Sequence, residues 1–182
     1  MERTLNPLKE FIIQFAGLKN GCHEFDFKVG DKFFGEFDYS IIKKGNLDVR
    51  LSLDKREHLL TLDFAISGTV ELVCDRCLDP FDYPLESRQQ QLVKISDEVE
   101  GGEQEDVVYI GTKEHEIDVT PFIYEFTHLA LPMVSIHPDD AGGTPACNPE
   151  TLAALEKLRT REDKQTPEGD PRWEALKKLR NN

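Results

Sequence analysis

Residues 47–53 read LDVRLSL, and after the polar stretch DKRE the chain resumes with HLLTLDFAI. Leu47, Val49, Leu51 and Leu53 alternate with Asp48, Arg50 and Ser52, and Leu60, Leu62, Phe64 and Ile66 repeat the pattern. Successive side chains of a strand point to opposite faces, so this period of two predicts strands with one buried face and one wet face. Asp54-Lys55-Arg56-Glu57 is the turn between them. Phe25, Phe27 and Val29 alternate in the same way behind the turn signal Lys19-Asn20-Gly21. Val70 and Leu72 carry the alternation on to Cys74, Leu92, Val93 and Ile95 close another strand, and Val107–Ile110 is a further short β run. Phe33, Phe34 and Phe37 have helical spacing and predict a short helix between the first strands.

The rest of the chain reads as helices and loops. In EIDVTPFIYEFTHLALP, Asp118 or Thr120 caps a helix with Pro121 in its first turn, and Leu131-Pro132 ends it. Asn148-Pro149-Glu150 and Asp170-Pro171-Arg172 repeat the start signal of cap, proline and first-turn charge. Leu152, Leu155 and Leu158 share a face of the second of these helices. The acidic DEVEGGEQED at 97–106 is a solvated loop. The expected fold is α+β: a mainly antiparallel curved β-sheet or partly closed barrel, with helices near 121–130, 149–160 and 171–180. Residues 1–160 are expected to form one domain. Residues 161–182 are expected to be a polar linker and a basic amphipathic C-terminal helix.

Charge narrows the partners. The chain has 182 residues and a formal net charge of −13. Such a surface repels phosphate backbones and favours basic partners. Residues 153–182 carry eight Lys/Arg against six Asp/Glu, about +2, which leaves about −15 for the remainder. The tail is therefore the place for any contact with an anion. No apolar run approaches the roughly 20 residues of a membrane span. No secretory signal pattern opens the chain, so a cytoplasmic location is expected. There, structural disulfides are rare and a CxxC points to metal or redox chemistry.

Residues 73–80, VCDRCLDP, hold two of the four cysteines. A closed zinc site takes four ligands in a tetrahedron, and a CxxC knuckle supplies two. Cys147 is a third candidate and His137, ten residues before it, a fourth. Arg76 would offset the negative charge of the sulfurs. His128 is the weaker histidine, because it falls on the helix before Pro132, and Cys22 reads as a packed thiol in a strand. A redox pair is the rival reading, although the motif lies in β-type sequence without the helix N-terminus that activates such thiols. A pair of reduced cysteines in a turn is the third. No GxSxG, HExxH or GxxxxGK[ST] pattern occurs, and no small-molecule site is evident. Glu114-His115-Glu116 and His23-Glu24 read as surface or structural groups. An enzyme is not expected.

Taken together, LVCDRCLDPF, the EID-to-ALP helix, the downstream His and Cys, and the terminal DPRWEALKKLR resemble the YceD-like family, the large ribosomal RNA subunit accumulation proteins. The likeness runs from about residue 45 to the end. The resemblance implies a non-enzymatic ribosome-biogenesis factor that promotes accumulation or processing of large-subunit ribosomal RNA. It maps the CxxC to Cys74 and Cys77, and the later pair to His137 and Cys147, the same four residues that the reading of a structural zinc ion singles out. It maps the terminal basic helix to Arg172, Trp173, Lys177, Lys178 and Arg180, as a contact to RNA or to a partner. Trp173 also fits an apolar anchor beside Leu176 and Leu179. The implied partner is a large-subunit ribosomal RNA precursor or a basic ribosomal or assembly protein. The alternative from another class is a zinc-stabilised protein-interaction module with no ribosomal role.

Overall fold

The computed structural model describes residues 8–97, 107–139 and 146–162, with side chains as far as residue 158. These residues divide into two compact units. One holds the chain up to Val73 together with Pro80–Ser135, and the other holds Cys74–Asp79 together with the chain from Ile136 onward.

The larger unit opens with a short strand β1 (Ile12–Ile13), flanked by single 3-10 turns. It then runs through β2 (Gly21–Gly30), helix α1 (Asp31–Gly35), β3 (Gly45–Lys55), β4 (Leu59–Val73), β5 (Pro80–Ile95), β6 (Val107–Ile110), β7 (Ile117–Asp118) and helix α2 (Thr120–Leu129). Strands β2 to β6 form a sheet in the order β2-β3-β4-β5-β6, while β1 pairs with β7. The pairing of β3 with β4 places Leu51 opposite Phe64, Val49 opposite Ile66 and Leu53 opposite Leu62. All six are buried, as the alternation requires. Between these strands the Arg56 N–H donates to the Leu59 carbonyl at 2.8 Å and closes the turn.

Helix α2 covers part of this face. Its Phe126 meets Phe64 edge-on, with ring centroids 5.3 Å apart, and Ile123 is fully buried. The Asp118 carboxylate accepts from the Thr120 N–H at 2.9 Å and satisfies one of the free donors at the helix start. Burying each large apolar side chain contributes about 1.5–3 kcal/mol, and the continuous core is what holds this unit together.

Two features of the sheet depart from expectation. It is mixed, because β6 runs parallel to β5, with Val107 opposite Leu92 and Ile110 opposite Ile95. A plain hairpin cannot join two parallel strands. Among the described residues β2 and β6 remain the two edges, so the sheet is open and not a barrel. In addition, β5 is one strand of 16 residues. Its Pro84 and the polar run Glu86–Gln91 hide it in the sequence, yet β4 pairs with it from Pro80 to Lys94.

In the smaller unit the longest element among the described residues is α3 (Pro149–Glu162). Asn148 caps it, accepting from the Glu150 N–H at 3.0 Å. Leu155 and Leu158 are exposed, so the apolar stripe predicted on this helix is not part of a core. The predicted helix at 171–180 lies outside the described residues.

Candidate metal centre

The cysteine knuckle is the link between β4 and β5. The Leu78 N–H donates to the Cys74 carbonyl at 2.8 Å, and the Cys74 N–H to the Asp79 carbonyl at 3.0 Å. To close so tight a loop Leu78 takes φ +64°, the left-handed region that costs a non-glycine residue about 1–2 kcal/mol. Its side chain is exposed, so packing is not what holds it there. The sequence carried no signal for this strain.

The knuckle and the segment from Ile136 onward bring four ligand atoms to one point. Those of Cys74, Cys77, His137 and Cys147 all lie within 4.8 Å of one another. The Cys74 and Cys147 sulfurs are 3.6 Å apart. His137 Nδ1 stands 3.4 Å from the Cys77 sulfur and 3.6 Å from that of Cys147. A zinc ion with Zn–S about 2.3 Å and Zn–N about 2.0–2.1 Å has tetrahedral edges of about 3.8 Å between sulfurs and about 3.6 Å between sulfur and nitrogen. The measured spacings match those edges. A disulfide would need about 2.05 Å, and all four cysteines are free thiols. Cys74, Cys77 and Cys147 are buried and His137 is half-buried.

The electrostatics favour a thiolate at Cys74 and oppose one at Cys147. Burial pushes the Cys74 thiol up. The backbone N–H groups of Cys77, His137 and Arg76, with the His137 ring, outweigh burial and hold it at about 5. Cys147 is pushed up, chiefly by burial and also by the other two sulfurs, against the pull of Arg76. Arg76 Nε donates to the Cys147 sulfur at 3.1 Å, while its buried Nη2 has no hydrogen-bond partner. Three thiolates and a divalent ion carry one net negative charge, which the guanidinium balances. The donor set, the spacing and the charge are thus compatible with a metal site. They fit a redox pair poorly: the motif opens no helix, and Cys74 is fully buried, whereas reactive thiols are partly exposed.

The other candidates fall elsewhere. His128 sits on α2, where its Nδ1 bonds the Tyr124 carbonyl at 2.8 Å, and it is not in the cluster. Cys22 is in β2 as expected, but it is exposed rather than packed, because it projects from the polar face of the sheet and lies 3.0 Å from the Ser52 hydroxyl. His23 bonds the Lys19 carbonyl, and the carbonyl of His115 accepts from the Ala16 N–H. Arg172, Trp173, Lys177, Lys178 and Arg180 lie outside the described residues.

An open mixed sheet packed on one helix, with a Cys3His cluster built at the β4–β5 link, defines a small α+β protein with a compact thiol-histidine centre. The family model described as "Large ribosomal RNA subunit accumulation protein YceD" matches residues 62–180, and the chain belongs to that family. It is also 28% identical, over 94% of its length and 96% of the other protein, to "Uncharacterized protein YlbN" of Bacillus subtilis (strain 168). No solved structure matches it.

Proposed function

We propose that this protein is a non-enzymatic ribosome-biogenesis factor that promotes accumulation or processing of large-subunit ribosomal RNA, with a zinc ion held by Cys74, Cys77, His137 and Cys147. The membership in a family described by large-subunit RNA accumulation carries the functional half. The convergence of four soft and borderline ligands within 4.8 Å carries the metal half. The ion would be structural. Four protein ligands leave no open coordination position for a substrate, as catalytic zinc requires.

The chain's charge of −13 favours an indirect route to RNA, through a basic ribosomal or assembly protein. Direct contact would fall to Arg172, Lys177, Lys178 and Arg180, with Trp173 stacking on a base or anchoring the segment. No helix among the described residues is long and apolar enough to cross a membrane. A role on ribosomal particles would put the protein in the cytoplasm.

Sedimentation of cell extracts on density gradients tests the reading. The protein should travel with large-subunit precursors and leave them as salt rises. Depletion should lower large-subunit RNA relative to small-subunit RNA. A protein confined to the top of the gradient at every salt concentration, with unchanged RNA ratios, would instead be an interaction module outside ribosome assembly.

A further inference from the structure

The larger unit exposes a group of large apolar side chains. Tyr39 and Ile41 are 75% and 71% exposed, Leu129 and Val134 are 66% and 63%, and Met133 is fully exposed. Single exposed hydrophobic residues need no explanation, but a group of them on one face marks an interaction surface.

The loop carrying Tyr39 and Ile41 is held in place. The Tyr39 ring lies 5.7 Å from that of Tyr124 on α2, and Phe37 stacks on Tyr124 at 4.1 Å. The Ser40 hydroxyl donates to the Ile42 carbonyl at 2.7 Å and stands 3.4 Å from His128 Nε2. The loop carrying Tyr39 and Ile41 is thereby fixed against the Tyr124–His128 side of α2. Leu129 ends that helix, the Leu131 N–H turns back to the His128 carbonyl, and Met133 and Val134 follow. A surface fixed in advance loses little entropy on binding. Met133 adds an adaptable side chain.

The rim is acidic. Glu36 and Asp38 are exposed beside Tyr39, and exposed Glu125 lies one helical turn before Leu129. Lys43 is turned onto the Asp38 carbonyl at 3.3 Å. Such a rim repels RNA phosphates and anionic lipid. We propose that this face docks a basic protein segment, one that sets two or three apolar side chains among lysines and arginines. The inference rests on the proposed indirect route to ribosomal RNA and assigns that route a surface.

Photo-crosslinking tests it. Benzoyl-phenylalanine replaces Tyr39 or, separately, Met133 in the full chain. Irradiation is done in cells, and the adducts are mapped by mass spectrometry. Both positions should label one partner protein, in a segment richer in Lys and Arg than in Asp and Glu. Adding Leu129→Ser with Val134→Ser should lower the yield about tenfold or more, as for the loss of an apolar anchor. Asp38→Lys with Glu125→Lys should lower it several-fold through charge alone. All four sites are exposed, and an unchanged melting temperature will show that the fold survives. Adducts to RNA, to a second copy, to the chain itself or to an acidic segment, or no adduct from either position, would overturn the proposal. Gradient sedimentation keeps the two readings apart. If wild type and the quadruple variant stay equally on large-subunit precursors, the surface is wrong and the functional reading stands. If wild type never joins them, the functional reading fails, while a mapped basic segment would still support the surface.

Discussion

The two units are held together by different physics. In the larger one, four long strands and α2 bury a continuous apolar core, from Phe11 through Leu62 to Phe126. In the smaller one the buried residues, among those described, are Cys74, Cys77 and Cys147. Among its described residues, the smaller unit thus lacks the apolar core that is the main favourable term of folding. Three thiols and an imidazole within 4.8 Å of one another can supply another, because zinc binding to such a set is itself folding free energy. The larger unit should therefore be indifferent to metal and the smaller one dependent on it.

The sharpest break comes from removing a ligand. Cys74→Ser should abolish stoichiometric zinc, about one ion per chain in wild type by elemental analysis. The loss is of the order of the 10–16 kcal/mol seen for structural zinc in small domains. Hydrogen exchange should then show residues 74–79 and the start of α3 losing protection, with β3 and β4 unchanged. Equal loss in both units would mean that they depend on the same core. Zinc that persists in the variant would remove Cys74 from the site.

The converse substitution is Leu62→Ala. Leu62 is fully buried opposite Leu53 and Gln91. Truncation should cost about 2–5 kcal/mol by denaturant unfolding, from lost burial and the cavity left behind. Zinc content in the native state should remain at about one per chain. A third and smaller effect is expected at Arg76. Arg76→Gln removes the cation from the Cys147 sulfur and should weaken zinc affinity about 10–100-fold by competition with a chelator, the usual range for such supporting partners. An unchanged affinity would show that the backbone N–H groups alone carry the thiolates.

How much could be read in advance follows the same division. Strands β3 and β4 were legible because each has one wet and one buried face, which writes the period of two into the sequence. The middle of β5 was not. At Pro84 and Glu86–Gln91 the pairing with β4 fixes the strand, while the side chains there carry no alternation. The parallel register of β6 was hidden for another reason, since it depends on where a connection returns and not on the residues that pair. The four clustered residues were legible as a set because thiols and imidazole are few in this chain. His128 was already the weaker histidine because the sequence puts it on the helix before Pro132, and the structure places it there, on α2 and outside the cluster.

The smallest prediction concerns two residues with positive φ, one in each unit. In β4 the residue is Gly68, at φ +149°. A Cβ there would stand 2.2 Å from the Asn46 carbonyl oxygen, against backbone that the β3 pairing holds fixed. Gly68→Ala should therefore destabilise by more than about 1 kcal/mol. In the knuckle the residue is Leu78, at φ +64°. Here glycine would relieve about 1–2 kcal/mol of left-handed strain. It would also give back about 0.5–1 kcal/mol through a freer unfolded chain. No packing is lost, because the leucine side chain is exposed. Leu78→Gly should thus stabilise slightly, by about 0–1.5 kcal/mol, with zinc content unchanged. The two substitutions have opposite signs because the sheet has no slack to accept a side chain, whereas the knuckle keeps one it does not use. A destabilising Leu78→Gly would mean that the leucine makes a contact outside the described residues.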